Sequence, residues 1–226
     1  MIGVLVIGAG GHGRVVADIL LRTHEVGGNY KPIGFLDDDP RLLGVRLLRL
    51  EVFGPISELD RFAHDAAIVA IGQNSTRARI FKSLRVKGER LVNAIHPSAV
   101  LAPDVSLGNG LMVCAGAVVN PSTRIGDNVI LNTGCTVDHD NVIGPHAHVA
   151  PGVHTGGGVR VEDGAFLGIG AVVLPGRTVG EWAIVGGGAA VVRDIPPRVT
   201  AVGVPAKVIK QHESGGLAHG DRAGEP

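Results

Sequence analysis

Aromatic side chains are nearly missing: Phe, Trp and Tyr make up 3% of the 226 residues. A core without them has to be filled by aliphatics, which suits a narrow interior. Neither sign of charge is in excess, with 21 basic and 21 acidic residues. That removes the electrostatic case for a nucleic-acid or polyanion groove. Two cysteines, Cys114 and Cys135, cannot make a disulfide framework and point to a reducing compartment. No apolar run reaches the roughly 20 residues that span a bilayer. The apolar start M-I-G-V-L-V-I has no basic flank and no cleavage site, so it reads as a strand and not as a signal peptide. The expectation is a soluble cytoplasmic protein with neither nucleic acid nor membrane as a partner.

Glycine, in contrast, is abundant, at 35 residues beside 45% hydrophobics, a balance that does not read as disorder. A repeat explains it. Stepping by six from Ile95 through Leu101, Leu107 and Val113 to Val185 and Val191, sixteen of seventeen positions are aliphatic and only Thr155 is not. Four residues after each lies a second, mostly small or apolar set, with Thr123, Asn141 and Arg177 as polar exceptions. Neither the helical period of 3.6 nor the strand period of 2 holds a phase of six for so long. A triangular coil does: each hexad makes one face and a corner, and stacked turns form a parallel β-helix. The aliphatics are expected at the corners, pointing inward. Gly108, Gly126, Gly144, Gly168 and Gly180 follow them, where a corner could require positive φ.

Residues 1–94 show no hexads. The run 2–7 reads as a buried strand, 14–21 as an amphipathic helix, 32–39 as a strand ending in acids, 66–72 as a third strand and 76–84 as a helix capped by Asn74 or Ser75. This alternation predicts a small α/β, Rossmann-like domain. A β-helix over 95–211 and a disordered tail over 212–226 complete the chain. The loop G-A-G-G-H-G (8–13) matches G-x-G-x-x-G between strand and helix. Its physics serves any pyrophosphate, so a nucleotide sugar, a dinucleotide and purely structural glycines all remain open. The short domain has room for one mononucleotide half, which favours the nucleotide sugar. Asp37 and Asp38 sit where a ribose or sugar hydroxyl would be held.

One stretch breaks the rhythm of the repeat: T-V-D-H-D-N (136–141). His139 falls third in its hexad, expected on a face. A neutral imidazole there can take a proton from an attacking amine or hydroxyl, with Asp138 or Asp140 orienting the ring. A backbone N–H within 156–158 is the expected oxyanion donor. His139, His146, His148 and His154 fall within sixteen residues, which invites a metal reading. Their spacing does not obviously suit one, and no metal is expected. His146 and His154 are left as surface or structural, Cys135 as core.

G-A-G-G-H-G, F-L-D-D, A-I-G-Q-N, N-T-G-C-T-V-D-H-D, F-L-G-I-G-A-V-V-L-P, I-V-G-G-G-A and V-G-V-P-A-K together resemble the bacterial sugar O/N-acetyltransferases of the hexapeptide-repeat superfamily, of the sialic-acid, bacillosamine and perosamine pathways. The nearest are the nucleotide-4-amino-sugar N-acetyltransferases, and the resemblance covers residues 2–210. It implies a left-handed β-helix, a homotrimer and acetyl-CoA as co-substrate, lying between neighbouring prisms. It implies His139 as general base supported by Asp140, where the family commonly has Glu. It also implies acetyl-CoA contacts at His148, Ile169, Gly187 and Lys207. The nucleotide-linked amino sugar is expected at Gly10, Gly11, His12, Asp37, Asp38, Gly72, Asn74 and Arg77. The alternatives are O-acetylation of sialic acid or another sugar hydroxyl, and a metal-dependent prism enzyme of the γ-carbonic-anhydrase type.

Overall fold

The computed structural model describes residues 1–212; the tail expected over 212–226 lies almost wholly outside them. The first part is a five-stranded sheet. Its strands are β1 (Ile2–Ile7), β2 (Tyr30–Leu36), β3 (Arg46–Leu47), β4 (Leu50–Gly54) and β5 (Ala66–Val69), in spatial order β3-β4-β2-β1-β5. β1 pairs in parallel with β2 and β5, and β3 closes the far edge antiparallel to β4. The β3–β4 hairpin has no counterpart in the sequence reading: β3 has only two residues, and in β4, L-E-V-F-G, an acid interrupts a short apolar run that ends in glycine.

Helix α1 (Gly11–Glu25) buries Val16, Ala17, Ile19 and Leu20. These pack with Val4, Val6 and Phe35 of the sheet and with Met112, Cys114 and Ile130 of the second part, in one cluster. Helix α2 (Asn74–Val86) packs Ile80, Phe81 and Leu84 on the opposite face of the sheet, against Leu5, Ile7 and Leu36. Its N-cap is Gln73, with no side-chain cap bond. Asn74, expected to cap, lies inside the helix and is used elsewhere.

From Ala94–Ile95 to Ala190–Val191 the chain runs through two-residue strands, each paired in parallel with strands 18 residues away, as Val118 is with Val100 and Thr136. Three sheets result. The first face runs through Met112–Val113, Ile130–Leu131, His148–Val149, Phe166–Leu167 and Ile184–Val185. The second runs through Val100–Leu101, Val118–Val119, Thr136–Val137, His154–Thr155 and Val172–Val173. The third runs through Ser106–Leu107, Arg124–Ile125, Val142–Ile143, Arg160–Val161 and Thr178–Val179. The hexad aliphatics are the inward residues of these strands, and the second set sits just before each strand, also inward. Both sets fill one core of Val, Leu, Ile and Ala, as the scarcity of aromatics required.

Two expectations about the corners change. The aliphatics are on the faces, and the turns follow two and three residues later. Positive φ falls at the third residue after the aliphatic, as at Gly116, Gly134, Gly152, Asn128, Asp140 and His146. Gly108, Gly126, Gly144, Gly168 and Gly180 are needed for a different reason. A Cβ on Gly126 would lie 2.6 Å from Pro145 N, and one on Gly168 would lie 2.6 Å from Gly187 N. They are glycines because successive coils stack tightly there.

Candidate active site

His139 and Asp140 occupy the turn between the second and third faces, a corner and not the face expected. His139 Nδ1 lies 2.7 Å from Asp140 Oδ2, and both side chains are open to solvent. With Nδ1 donating to the carboxylate, Nε2 is left as the basic nitrogen. The Asp140 hydrogen bond, followed by the charge of Asp138, raises the His139 pKa. Asp138 is held below the usual carboxylate range, first by Asn120 Nδ2 donating to it at 2.8 Å and then by the His139 N–H. The acids thus divide the work: Asp140 faces the ring, and Asp138 braces the backbone, accepting the His139 N–H at 2.8 Å.

The ring lies against Gly157 in the next coil, where a Cβ would stand 2.5 Å from Cε1 and 2.6 Å from Nε2. The oxyanion expectation narrows here. Gly156 N–H is taken by Val173 O and Gly158 N–H by His139 O, each at 2.9 Å. Bonds that stack the coils are not free to meet a substrate, so of the three only Gly157 N–H stays available among the described residues.

The loop after β1 forms the second group. Gly10 and Gly11 are exposed, a Cβ at either would meet nothing within 4 Å, and Gly10 is an N-cap without a side-chain bond. The first N–H groups of α1 are therefore open. Gly13 is where the helix closes on the loop: its Cβ would fall 2.0 Å from Gly8 O. Asp37 accepts from Ala9 N at 2.7 Å and from Asp39 N at 2.9 Å, which fixes the loop to the end of β2. Asp38 is exposed and accepts from Ile56 N at 2.9 Å. His12 turns inward, its ring centroid 6.3 Å from that of His148 on the first face. Its Nε2 is buried without a partner, and burial, aided by Arg77, pushes its pKa down to about 4. His148 meets Asn132 Nδ2 at 3.1 Å and the edge of Phe166.

Ile169 and Gly187 stack at the corner between the first and second faces, where Gly188 N–H bonds Ile169 O at 2.8 Å. Ile169 is 67% exposed, an uncovered apolar knob. Lys207 lies on the exposed strand Lys207–Gln211, paired antiparallel with Val199–Val202.

Two expected substrate residues are not available to a ligand. Arg77 has no exposed surface. Its guanidinium donates to Ile71 O (3.0 Å), Gly72 O (3.2 Å), Asn128 O (3.2 Å), His146 O (2.7 Å) and Ala147 O (3.4 Å). Among the described residues no carboxylate pairs with it, and burial lowers its pKa to about 9, still charged at neutral pH. Asn74, one turn earlier, is also buried and donates to Gly164 O at 3.0 Å and Ala165 O at 3.2 Å. The reason is geometric. At this corner of the prism Asn128, His146 and Gly164 adopt positive φ, which turns their carbonyls toward α2. Asn74 and Arg77, three apart on one helix face, cap that column. Gly72 remains open on the other side of the loop.

His146 is structural: it is 7% exposed, its Nδ1 meets Asn128 Nδ2 at 2.8 Å, and burial lowers its pKa to about 4. His154 is exposed on the second face and meets Thr136 Oγ1 at 2.7 Å. The four histidines thus fall on different faces and corners. Cys114 and Cys135 are buried, and burial raises their thiols to about 11 and 12.

The residues expected at the site therefore form two groups on one chain. His12, His148, Ile169 and Gly187 sit toward the corner of the first and second faces; His139 and Asp140 sit across the second face, at its other corner. Cavities of about 500 Å³ on the third face and about 610 Å³ under α2 include neither group.

Residues 3–84 match the PglD N-terminal domain family. A variant of perosamine N-acetyltransferase from Caulobacter crescentus, solved with CoA and GDP-perosamine, is 42% identical, covers 92% of this chain and 97% of its own, and superposes with a TM-score of 0.85. The acetyltransferase domain of PglB from Neisseria gonorrhoeae, solved with acetyl coenzyme A, is 36% identical over 92% of this chain and 98% of that one, with a TM-score of 0.84. UDP-N-acetylbacillosamine N-acetyltransferase of Bacillus subtilis is 35% identical over 127 residues, 51% of this chain and 52% of that protein, so this match spans about half of the curated relative. With a PglD-type N-terminal domain, a hexapeptide prism and near-complete superposition on a perosamine N-acetyltransferase, the chain belongs to the bacterial sugar N-acetyltransferases.

Proposed function

We propose that this protein transfers the acetyl group of acetyl-CoA to the amine of a nucleotide-linked amino sugar. The observation that carries the reading is the His139–Asp140 pair: a carboxylate 2.7 Å from Nδ1, with Nε2 left as the basic nitrogen on a solvent-exposed ring that lies over Gly157. His139 Nε2 takes a proton from the amine as its nitrogen attacks the thioester carbonyl. Gly157 N–H meets the developing oxyanion. The tetrahedral adduct collapses, the C–S bond breaks, and the imidazolium returns its proton to the CoA sulfur. Asp140 stabilises the imidazolium between these steps. No covalent enzyme intermediate is needed, and holding both substrates supplies much of the rate.

The open N–H groups at Gly10 and Gly11, with His12, Asp37, Asp38 and Gly72, receive the nucleotide sugar. His148, Ile169, Gly187 and Lys207 receive acetyl-CoA. These groups lie across the second face from His139, so the site closes only when another copy brings its His139 corner to this chain's nucleotide corner. The second face suits such packing: its outward residues include Val100, Val118, Val172 and Ala190, and Val100 is 60% exposed. A homotrimer is the assembly that satisfies every copy equally.

The test is CoA thiol release from acetyl-CoA with UDP-, dTDP- and GDP-linked amino sugars, wild type beside His139→Ala. Turnover on one of them, falling by about 10²–10⁴ in the variant, is expected for a lost general base. Turnover only on sugar hydroxyls would replace the N-acetylation reading by O-acetylation.

A further inference from the structure

The inside of the prism is apolar at almost every slot, so its polar exceptions need a cause. Thr123, Asn141 and Thr155 are 0%, 0% and 5% exposed. Apolar residues fill the equivalent slots in neighbouring coils: Val105 beneath Thr123, Val159 above Asn141, and Val137 and Val173 on either side of Thr155. Polar groups at such depth carry a desolvation penalty that an apolar residue would avoid, and Asn141 Oδ1 is buried with no partner at all. The three side chains are far apart in sequence, yet all meet at one turn, residues 138–141.

That turn departs from the pattern most turns follow. In most turns the last N–H bonds the carbonyl three residues back, as Ala117 does to Cys114 (3.3 Å), Cys135 to Asn132 (3.1 Å), Ala165 to Glu162 (3.2 Å) and Ala171 to Gly168 (3.0 Å); the turn before Leu111 instead uses the Asn93 side chain, which accepts from Leu111 N and donates to Gly108 O, each at 2.9 Å. Here Asn141 N–H donates instead to Thr123 Oγ1 at 3.3 Å. The Asp138 carbonyl is taken by the Thr123 hydroxyl and by Asn141 Nδ2, each at 2.8 Å. The ladder between coils is diverted too. Asn120 N–H bonds Val137 O and Gly156 N–H bonds Val173 O, whereas Asp138 N–H, between them in the same column, bonds the Thr155 hydroxyl at 3.3 Å. Asn141 Nδ2 also reaches Gly156 O at 2.9 Å and His139 O at 3.1 Å.

We propose that Thr123, Asn141 and Thr155 are positioning residues for His139: a buried network that replaces the prism's ordinary turn bonds and sets this turn so that the imidazole sits over Gly157 with Asp140 in reach. This rests on His139 being the base. The three residues touch no substrate and act only through the backbone that carries the ring.

The experiment returns two of the slots to the repeat. In Thr155→Val, Asp138 N–H can rejoin the ladder to the carbonyl of residue 155. In Thr123→Val, Asn141 N–H can rejoin the Asp138 carbonyl. Both variants are expected to melt at the wild-type temperature or higher, with both KM values within about twofold. Their kcat is expected to fall by about tenfold or more, because a displacement near 1 Å costs up to about 10²-fold. Neither substitution is expected to lower the residual rate of His139→Ala further, since network and base act as one unit. Asn141→Val should lose the most activity; if it does not fold, the threonine variants decide alone. Wild-type kcat in both threonine variants, or a lower melting temperature with kcat preserved, would overturn the proposal. His139→Ala separates the two readings: if it turns over like wild type, the base assignment fails; if it is inactive while both threonine variants are normal, only the network fails.

Discussion

Replacing Arg77 with methionine keeps most of the side chain's length and removes its donors, so the lost stability measures what the guanidinium holds. Of its five carbonyls, Ala147 O keeps its bond from Ile130 N at 3.0 Å. Ile71 O and Gly72 O are only partly buried and can turn to water. Asn128 O and His146 O are left, both buried and both served by Arg77. A buried polar group without a partner costs about 1–3 kcal/mol, so Arg77→Met should lose roughly 2–6 kcal/mol. That is a large share of the 5–15 kcal/mol typical of a folded domain. Arg85→Ala is the control: Arg85 pairs with Asp127 at 2.9 Å but is 51% exposed, and such pairs are worth about 0–1 kcal/mol. Urea denaturation of wild type and both variants gives the numbers. A loss below about 1 kcal/mol for Arg77→Met would refute the reasoning, because the carbonyl column would then be solvated or paired without the arginine.

Asp140→Asn removes the leading cause of the raised His139 pKa. Wild-type kcat/KM should fall as pH drops through a value above the ordinary histidine 6.5, and in the variant that acid limb should move to lower pH while the plateau rate declines; a pH–rate profile with an unmoved limb would contradict it. Gly157→Ala places a methyl group where the His139 ring lies, so kcat should fall by about 10² or more with an unchanged melting curve, and near-normal turnover would show that the ring has another working position. His12 and His146 have folded pKa values of about 4, below the ordinary 6.5. Above pH 6.5 both states are neutral and the term vanishes. As pH falls from 6.5 toward 4 the unfolded chain takes the protons first, so stability is lost at up to about 1.4 kcal/mol per pH unit for each histidine. Denaturation midpoints across that window should show the slope, and His146→Asn, which suits positive φ, should flatten it.

The sequence by itself determined the prism. A phase of six needs only that like residues meet every 18 positions, a local rule repeated along the chain, so the period, the inward columns and the aliphatic filling could all be read directly. The strands and helices of the first 94 residues were equally visible where they formed unbroken apolar or amphipathic runs, and the β3–β4 hairpin, with a two-residue strand and an acid inside the other, was not. The His139–Asp140 pair stood out because it broke the repeat, and adjacent residues share a turn wherever the turn lies. Thr123, Asn141 and Thr155 were visible as exceptions too, yet their meaning needed three coils to be stacked, since contacts between residues up to 18 apart depend on which way each turn faces. Tertiary structure alone decided the rest. It placed Asn74 and Arg77 on a column of prism carbonyls and not on a ligand, because positive φ at three stacked corners turns those carbonyls toward α2. It also set the glycine loop of residues 8–13 and His139 on opposite corners of one face, since the orientation of one part of a chain on another is fixed by packing surfaces that no sequence period records.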